Sequence, residues 1–99
     1  MDSLAVFRLK RAPERLVLVL SGPQIAETGC VVAAPLMDPD TFPQAIGLNP
    51  VLRLGLLPLV LATEQMAAIP LKELGPQVGT CIGHEHAVAN AINRLFFGI

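Results

Sequence analysis

The chain has 99 residues, 53% of them hydrophobic and 15% charged, with a formal net charge of −1. That length holds one domain, residues 1–99. With no basic run beyond Arg8-Leu9-Lys10-Arg11 and no Trp or Tyr for bases to stack on, direct nucleic-acid binding is not expected.

The first half reads as β. Residues 4–9 alternate loosely, with Leu4, Val6 and Arg8 on one face, and Ala12-Pro13-Glu14 forms a turn. Residues 16–20 are a continuous aliphatic strand, broken by Ser21-Gly22-Pro23 because proline fixes φ and glycine permits the reversal. A third strand over 30–34 is bounded by Gly29 and Pro35. Residues 37–49 carry Pro39, Pro43 and Gly47 and read as a surface loop with one helical turn around Phe42 to Ile46. Strands resume at 51–54 and 59–69, joined by Gly55-Leu56-Leu57-Pro58. Two leucines at a turn tip are unusual, since tips face water; either the tip meets a partner or the register lies elsewhere. Pro70 and Pro76 mark a connection containing Lys72, Glu73 and Gly75. The fold class is mainly β, five or so strands followed by one C-terminal helix.

That helix is predicted over 84–97. Val88, Ala91, Ile92, Leu95 and Phe96 fall at i, i+3, i+4, i+7 and i+8, an apolar stripe. Glu85 in the first turn and Arg94 in the last suit the helix dipole, and Gly98 is placed to end the helix. His86, Asn90, Asn93 and Phe97 line up along the opposite face. A terminal Phe on that face is either an anchor for a partner or a ring that folds back, onto the body or across a dimer axis.

No stretch reaches the roughly 18 apolar residues needed to cross a bilayer; the richest, 51–62, is interrupted by Arg53, Gly55 and Pro58. The start Met1-Asp2-Ser3, with Arg8, Lys10 and Arg11 where a signal peptide is apolar, points to a cytosolic protein without a membrane partner. In that compartment Cys30 and Cys81 are expected as buried thiols, not a disulfide. So apolar a composition in so small a domain leaves hydrophobic surface outside, from which a homodimer is expected.

Two chemical readings compete. His84-Glu85-His86 places its histidines at i and i+2, nearly opposite on a helix, and Cys81 adds only one further ligand type; a metal site needs three or four ligands, so no metal or cofactor is expected. Arg8, Lys10 and Arg15, with a hydroxyl from Ser21 or Thr28, could serve an endoribonuclease of the MazF type, but no general base pairs with them.

The ending Asn90-Ala91-Ile92-Asn93-Arg94-Leu95-Phe96-Phe97-Gly98-Ile99 resembles the terminus of the CcdB toxins, N-A-I-N-x-x-F-W-G-I. Weaker likeness runs through Arg15-Leu16, Ile25, Gly29, Pro35-Leu36, Pro50-Val51, Gly55, Thr63, Met66-Ala67 and Pro70. The resemblance implies an SH3-like barrel of the CcdB/MazF type and a homodimer. It also implies a non-enzymatic poison that binds the DNA gyrase A subunit and traps its covalent complex with cleaved DNA. It further implies a neutralising partner, a CcdA-like antitoxin whose disordered segment folds on the toxin. The family's terminal triplet maps onto Phe97, Gly98 and Ile99, and its other gyrase-facing helix positions onto Glu85, His86, Asn90 and Asn93. Phe97 stands where the family has Trp, which keeps an aromatic face and loses the indole N–H. That change keeps open an inactive or retargeted relative retained for antitoxin binding.

Overall fold

The computed structural model describes residues 3–99; Met1 and Asp2, part of the leader reading, lie outside the described residues. The strands are β1 (Ala5–Leu9), β2 (Leu16–Val19), β3 (Cys30–Met37), β4 (Val51–Leu54), β5 (Leu57–Leu61), β6 (Ala67–Pro70) and β7 (Leu74–Thr80), followed by helix α1 (Glu85–Phe97). Mainly β with one C-terminal helix is the architecture the sequence predicts. The pairings are antiparallel, in the order β4-β5-β3-β2-β1-β7, with β6 on β3.

The unbroken aliphatic run of β2 is explained by burial on both faces of the sheet. Leu18 joins a cluster with Leu4, Val6, Leu36, Leu52, Leu61, Cys81 and Val88. Val17 and Val19 point the other way, into a cluster with Val31, Ala33 and Leu74. A strand covered on both sides needs no polar alternation. Helix α1 covers the first cluster through Val88, with Ile92 packed beside it. On the second, Ala26, Ile69 and Leu71 complete the cover.

The strand boundaries differ from the sequence reading in four places, each for a local reason. β3 continues through Pro35 to Met37 instead of stopping at Ala34. Pro35 falls between the stretch of β3 paired with β6 (30–33) and the stretch paired with β5 (36–37). No ladder N–H is required of it there, and its carbonyl still accepts the Ala62 N–H at 2.9 Å. The expected strand over 59–69 is two strands, separated by a 3₁₀ turn at Thr63–Gln65. Thr63 is fully buried in that turn and its hydroxyl donates to the Leu48 carbonyl at 2.6 Å. The expected connection after Pro70 contains β7, an edge strand on β1 whose register shifts across Gly75 and Pro76. Proline in a bulged edge strand costs no ladder bond, so a sequence reading that treats it as a breaker misses the strand. A further 3₁₀ segment, Pro23–Thr28, fills what the sequence left as a break.

The hairpin tip is Gly55-Leu56, and Leu57 and Pro58 already belong to β5 opposite Leu54 and Arg53. Leu56 is nonetheless 91% exposed. The loop makes two helical turns, one where the Phe42 N–H donates to the Asp38 carbonyl at 3.0 Å and one where the Asn49 N–H donates to the Ala45 carbonyl at 2.9 Å, and neither spans Phe42 to Ile46 as expected.

The two outer strands of the sheet come near each other through side chains. A Cβ on Gly79 of β7 would stand 2.7 Å from Leu54 Cδ1 of β4. One turn on, His84 Nε2 accepts the Arg53 N–H at 3.2 Å. Arg53 and Pro58 form a non-hydrogen-bonded pair of the ladder, so the Arg53 N–H points away from β5 and the imidazole satisfies an edge donor that would otherwise need water. Cys81 is buried, as expected, whereas Cys30 is half-buried with its sulfur 3.3 Å from the Thr28 hydroxyl.

Candidate functional site

Helix α1 starts one residue later than the sequence suggests, with His84 as its N-cap. The His84 side chain caps no helix amide, being engaged with Arg53. Glu85 takes over locally: its Oε1 accepts the Gly83 N–H at 2.6 Å. At the other end Gly98, with φ of 74°, closes the helix by donating its N–H to the Arg94 carbonyl at 3.0 Å. A left-handed residue at this position is what glycine supplies without strain.

Between these caps α1 is sharply divided. Val88 and Ala91 are buried, and Ala87, Ile92 and Leu95 are half-buried. His86, Asn90, Asn93 and Phe97 are all exposed and, by their spacing, share one side of the helix. The structure therefore brings these four predicted residues together on one surface. Glu85 is exposed at the far end, about 18 Å from Phe97 at 1.5 Å per residue. Gly98 and Ile99 follow Phe97 directly, and Ile99 is 79% exposed.

One stripe residue departs from expectation. Phe96 belongs to the predicted apolar stripe, yet it is 62% exposed. Ile92, one turn earlier, still reaches the core cluster. Phe96 instead borders an open groove of about 410 Å³ lined by Leu20, Ile25, Val32, Met66 and Ile92. Its ring lies 6.5 Å from that of Phe97, tilted by 54°. With Phe97 72% exposed, the end of α1 presents two aromatic rings and Ile99 to solvent. Ile25, exposed on the Pro23–Thr28 segment, lies across the groove. Periodicity could not flag Ile25, because a 3₁₀ turn opened by proline carries no repeat to read.

The residues weighed for ribonuclease chemistry are not gathered. Arg8, Lys10 and Arg15 sit at the β1–β2 turn, while Ser21 follows the opposite end of β2, about 17 Å away at strand rise. Arg8 donates to the Pro13 carbonyl at 2.7 Å, and Thr28 donates to the Ile25 carbonyl at 2.7 Å. The Ser21 hydroxyl accepts the Val32 N–H at 3.0 Å. Among the described residues no three His, Cys, Asp or Glu side chains stand close enough to hold a metal. Burial pushes the Cys81 thiol above its ordinary pKa, so it stays protonated and unreactive.

The curved sheet and its helix superpose on solved bacterial proteins. An endoribonuclease from a mycobacterial species superposes with a TM-score of 0.79 at 18% identity, covering 96% of this chain and 89% of its own. The Mycobacterium tuberculosis toxin MazF-mt6 gives 0.70 at 23% identity, covering 96% of each. The MazE–MazF structure from Deinococcus radiodurans gives 0.75 at 18% identity, covering all of this chain and 97% of that one. These likenesses define the class, the SH3-like barrel of the CcdB/MazF toxins. No curated protein matches the chain in sequence. The profile of the CcdB protein family matches residues 5–98. The chain belongs to the CcdB family, and is a toxin of the toxin–antitoxin kind.

Proposed function

We propose that this chain, as a homodimer, poisons DNA gyrase without catalysing a reaction of its own. The C-terminal end of α1 engages the A subunit while the enzyme holds cleaved DNA, and blocks religation. The observation that carries this reading is the exposed end of the helix in a CcdB-family chain. Phe97, Gly98 and Ile99 project beyond the body, and Asn93, Asn90, His86 and Glu85 extend the same element toward its N-terminus. An exposed aromatic flanked by amides has the chemistry of an interface anchor: apolar area to bury, with hydrogen-bonding groups at its rim. Two helix ends side by side on a two-fold axis would offer a symmetric wedge to a symmetric target. Stacking on a cationic side chain survives in Phe97, though weaker than for the Trp of the resembling toxins. An antitoxin whose disordered segment folds onto the toxin completes the system, in line with the MazE–MazF pairing of a fold neighbour.

A second reading, an endoribonuclease, is favoured by the fold neighbours alone. The separation of Ser21, at one end of β2, from Arg8, Lys10 and Arg15 at the other argues against it.

The test is a cleavage assay with purified gyrase, relaxed plasmid, ATP and this protein, run beside an RNA digestion. Linear DNA carrying covalently attached gyrase, lost when residues 97–99 are removed from a protein that still folds and dimerises, is the expected result. Intact plasmid with cut RNA would replace the poison by the ribonuclease. Neither product from a folded dimer would make the chain an inactive or retargeted relative.

A further inference from the structure

Beyond matching the helix dipole, the Arg94 side chain makes a specific contact. It lies across Gly47 of the loop between β3 and β4: a Cβ built on Gly47 would stand 2.5 Å from Arg94 Nε, 3.0 Å from Cζ and 3.1 Å from Cδ. Gly47 has φ of +83°, so both its backbone conformation and the space above it exclude a side chain. No carboxylate pairs with the guanidinium among the described residues, so the contact is one of stem and plane against backbone.

The loop on which Arg94 rests is itself anchored. Buried Asn49 accepts the Ala45 N–H at 2.9 Å and donates to the Leu61 carbonyl at 3.1 Å and to Glu64 at 2.7 Å. The turn at 45–49 is thereby tied to β5 and to the Thr63–Gln65 turn, and bears on the last turn of α1 through Arg94. On the helix, Arg94 stands at i+4 from Asn90 and i−3 from Phe97, beside both.

We infer that Arg94 is a positioning residue. By seating on Gly47 it locks the 45–49 turn to the last turn of α1 and holds the partner-facing end, Asn93 and Phe97, in one pose. This rests on the reading of α1 as the gyrase-binding element. The loop then tunes how this end meets its target.

Two readouts test it. In the free dimer, amide exchange is followed at Gly98, bonded to the Arg94 carbonyl, and at Asn49, bonded to the Ala45 carbonyl. Gly47→Ala, a change in the loop, should speed exchange at Gly98, and Arg94→Ala should speed it at Asn49. Calorimetric titration with the gyrase A dimerisation region then reads the consequence. Each single variant should weaken binding about tenfold; Arg94→Ala should hardly change the melting temperature, whereas Gly47→Ala, strained at φ of +83°, should also lower it by several degrees. Gly47→Ala should add nothing further in the Arg94→Ala background, and Arg94→Lys, which keeps the stem over Gly47, should restore most of the affinity. Unchanged exchange on the far side of the contact, or additive losses of affinity, would overturn the lock. A wild-type protein that binds no gyrase would refute the reading of α1 while the exchange data still decide the lock.

Discussion

Replacing Phe97 by alanine should separate binding from stability more cleanly than any other change in the chain. A phenylalanine side chain carries about 200 Å² of surface. With 72% of Phe97 exposed, the body covers roughly 55 Å² of it, worth about 1.4 kcal/mol at ~25 cal/mol per Å² as an upper bound. The contact with the Phe96 ring is included in that area. Burying the remaining ~145 Å² against a partner would gain about 3.6 kcal/mol, reduced by about 1 kcal/mol for fixing the side chain. The variant should therefore lose at most about 10 °C in melting temperature. It should bind the gyrase A dimerisation region about 30- to 150-fold more weakly. Scanning calorimetry and isothermal titration measure the two quantities on one preparation. A melting temperature lowered by more than 20 °C would mean that the ring holds the body together. An affinity changed less than threefold would refute its role as an anchor.

Three further outcomes follow from the packing. Asn49→Leu leaves the Ala45 N–H, the Leu61 carbonyl and the Glu64 carboxylate without their partner and should cost about 2–4 kcal/mol; a melting temperature lowered by less than 3 °C would show that the loop is not pinned by this side chain. Burial raises the Cys81 pKa from its ordinary 9.0, so above pH 9 the unfolded thiol ionises while the native one keeps its proton. The native state then binds more protons and stability falls as pH rises toward the native pKa, a loss that urea titrations from pH 8 to 10.5 should detect and Cys81→Ala should abolish. Leu56→Asp at the exposed hairpin tip should change stability by no more than about 0.5 kcal/mol and leave gyrase cleavage unchanged; a loss of cleavage would place the tip in the interface.

The sequence by itself determined the C-terminal helix, its glycine C-cap and its two faces. A helix repeats every 3.6 residues, so burial at Val88 and Ala91 and exposure at His86, Asn90, Asn93 and Phe97 follow from spacing along one element. The early strands were legible for the same reason, since runs such as residues 16–20 cannot be satisfied outside a core. What the tertiary structure decided lies where one strand's conformation depends on a distant neighbour. Pro35 and Pro76 read as breakers, and only the gap between β5 and β6 along β3, and the bulge of β7 against β1, make them tolerable. Phe96 reads as core, yet the body gives it only a groove to border. Arg94 reads as a surface charge, and only the path of a loop nearly fifty residues earlier places Gly47 beneath it. Local periodicity reports which way a side chain faces; what it meets there is set by long-range packing, which no local pattern encodes.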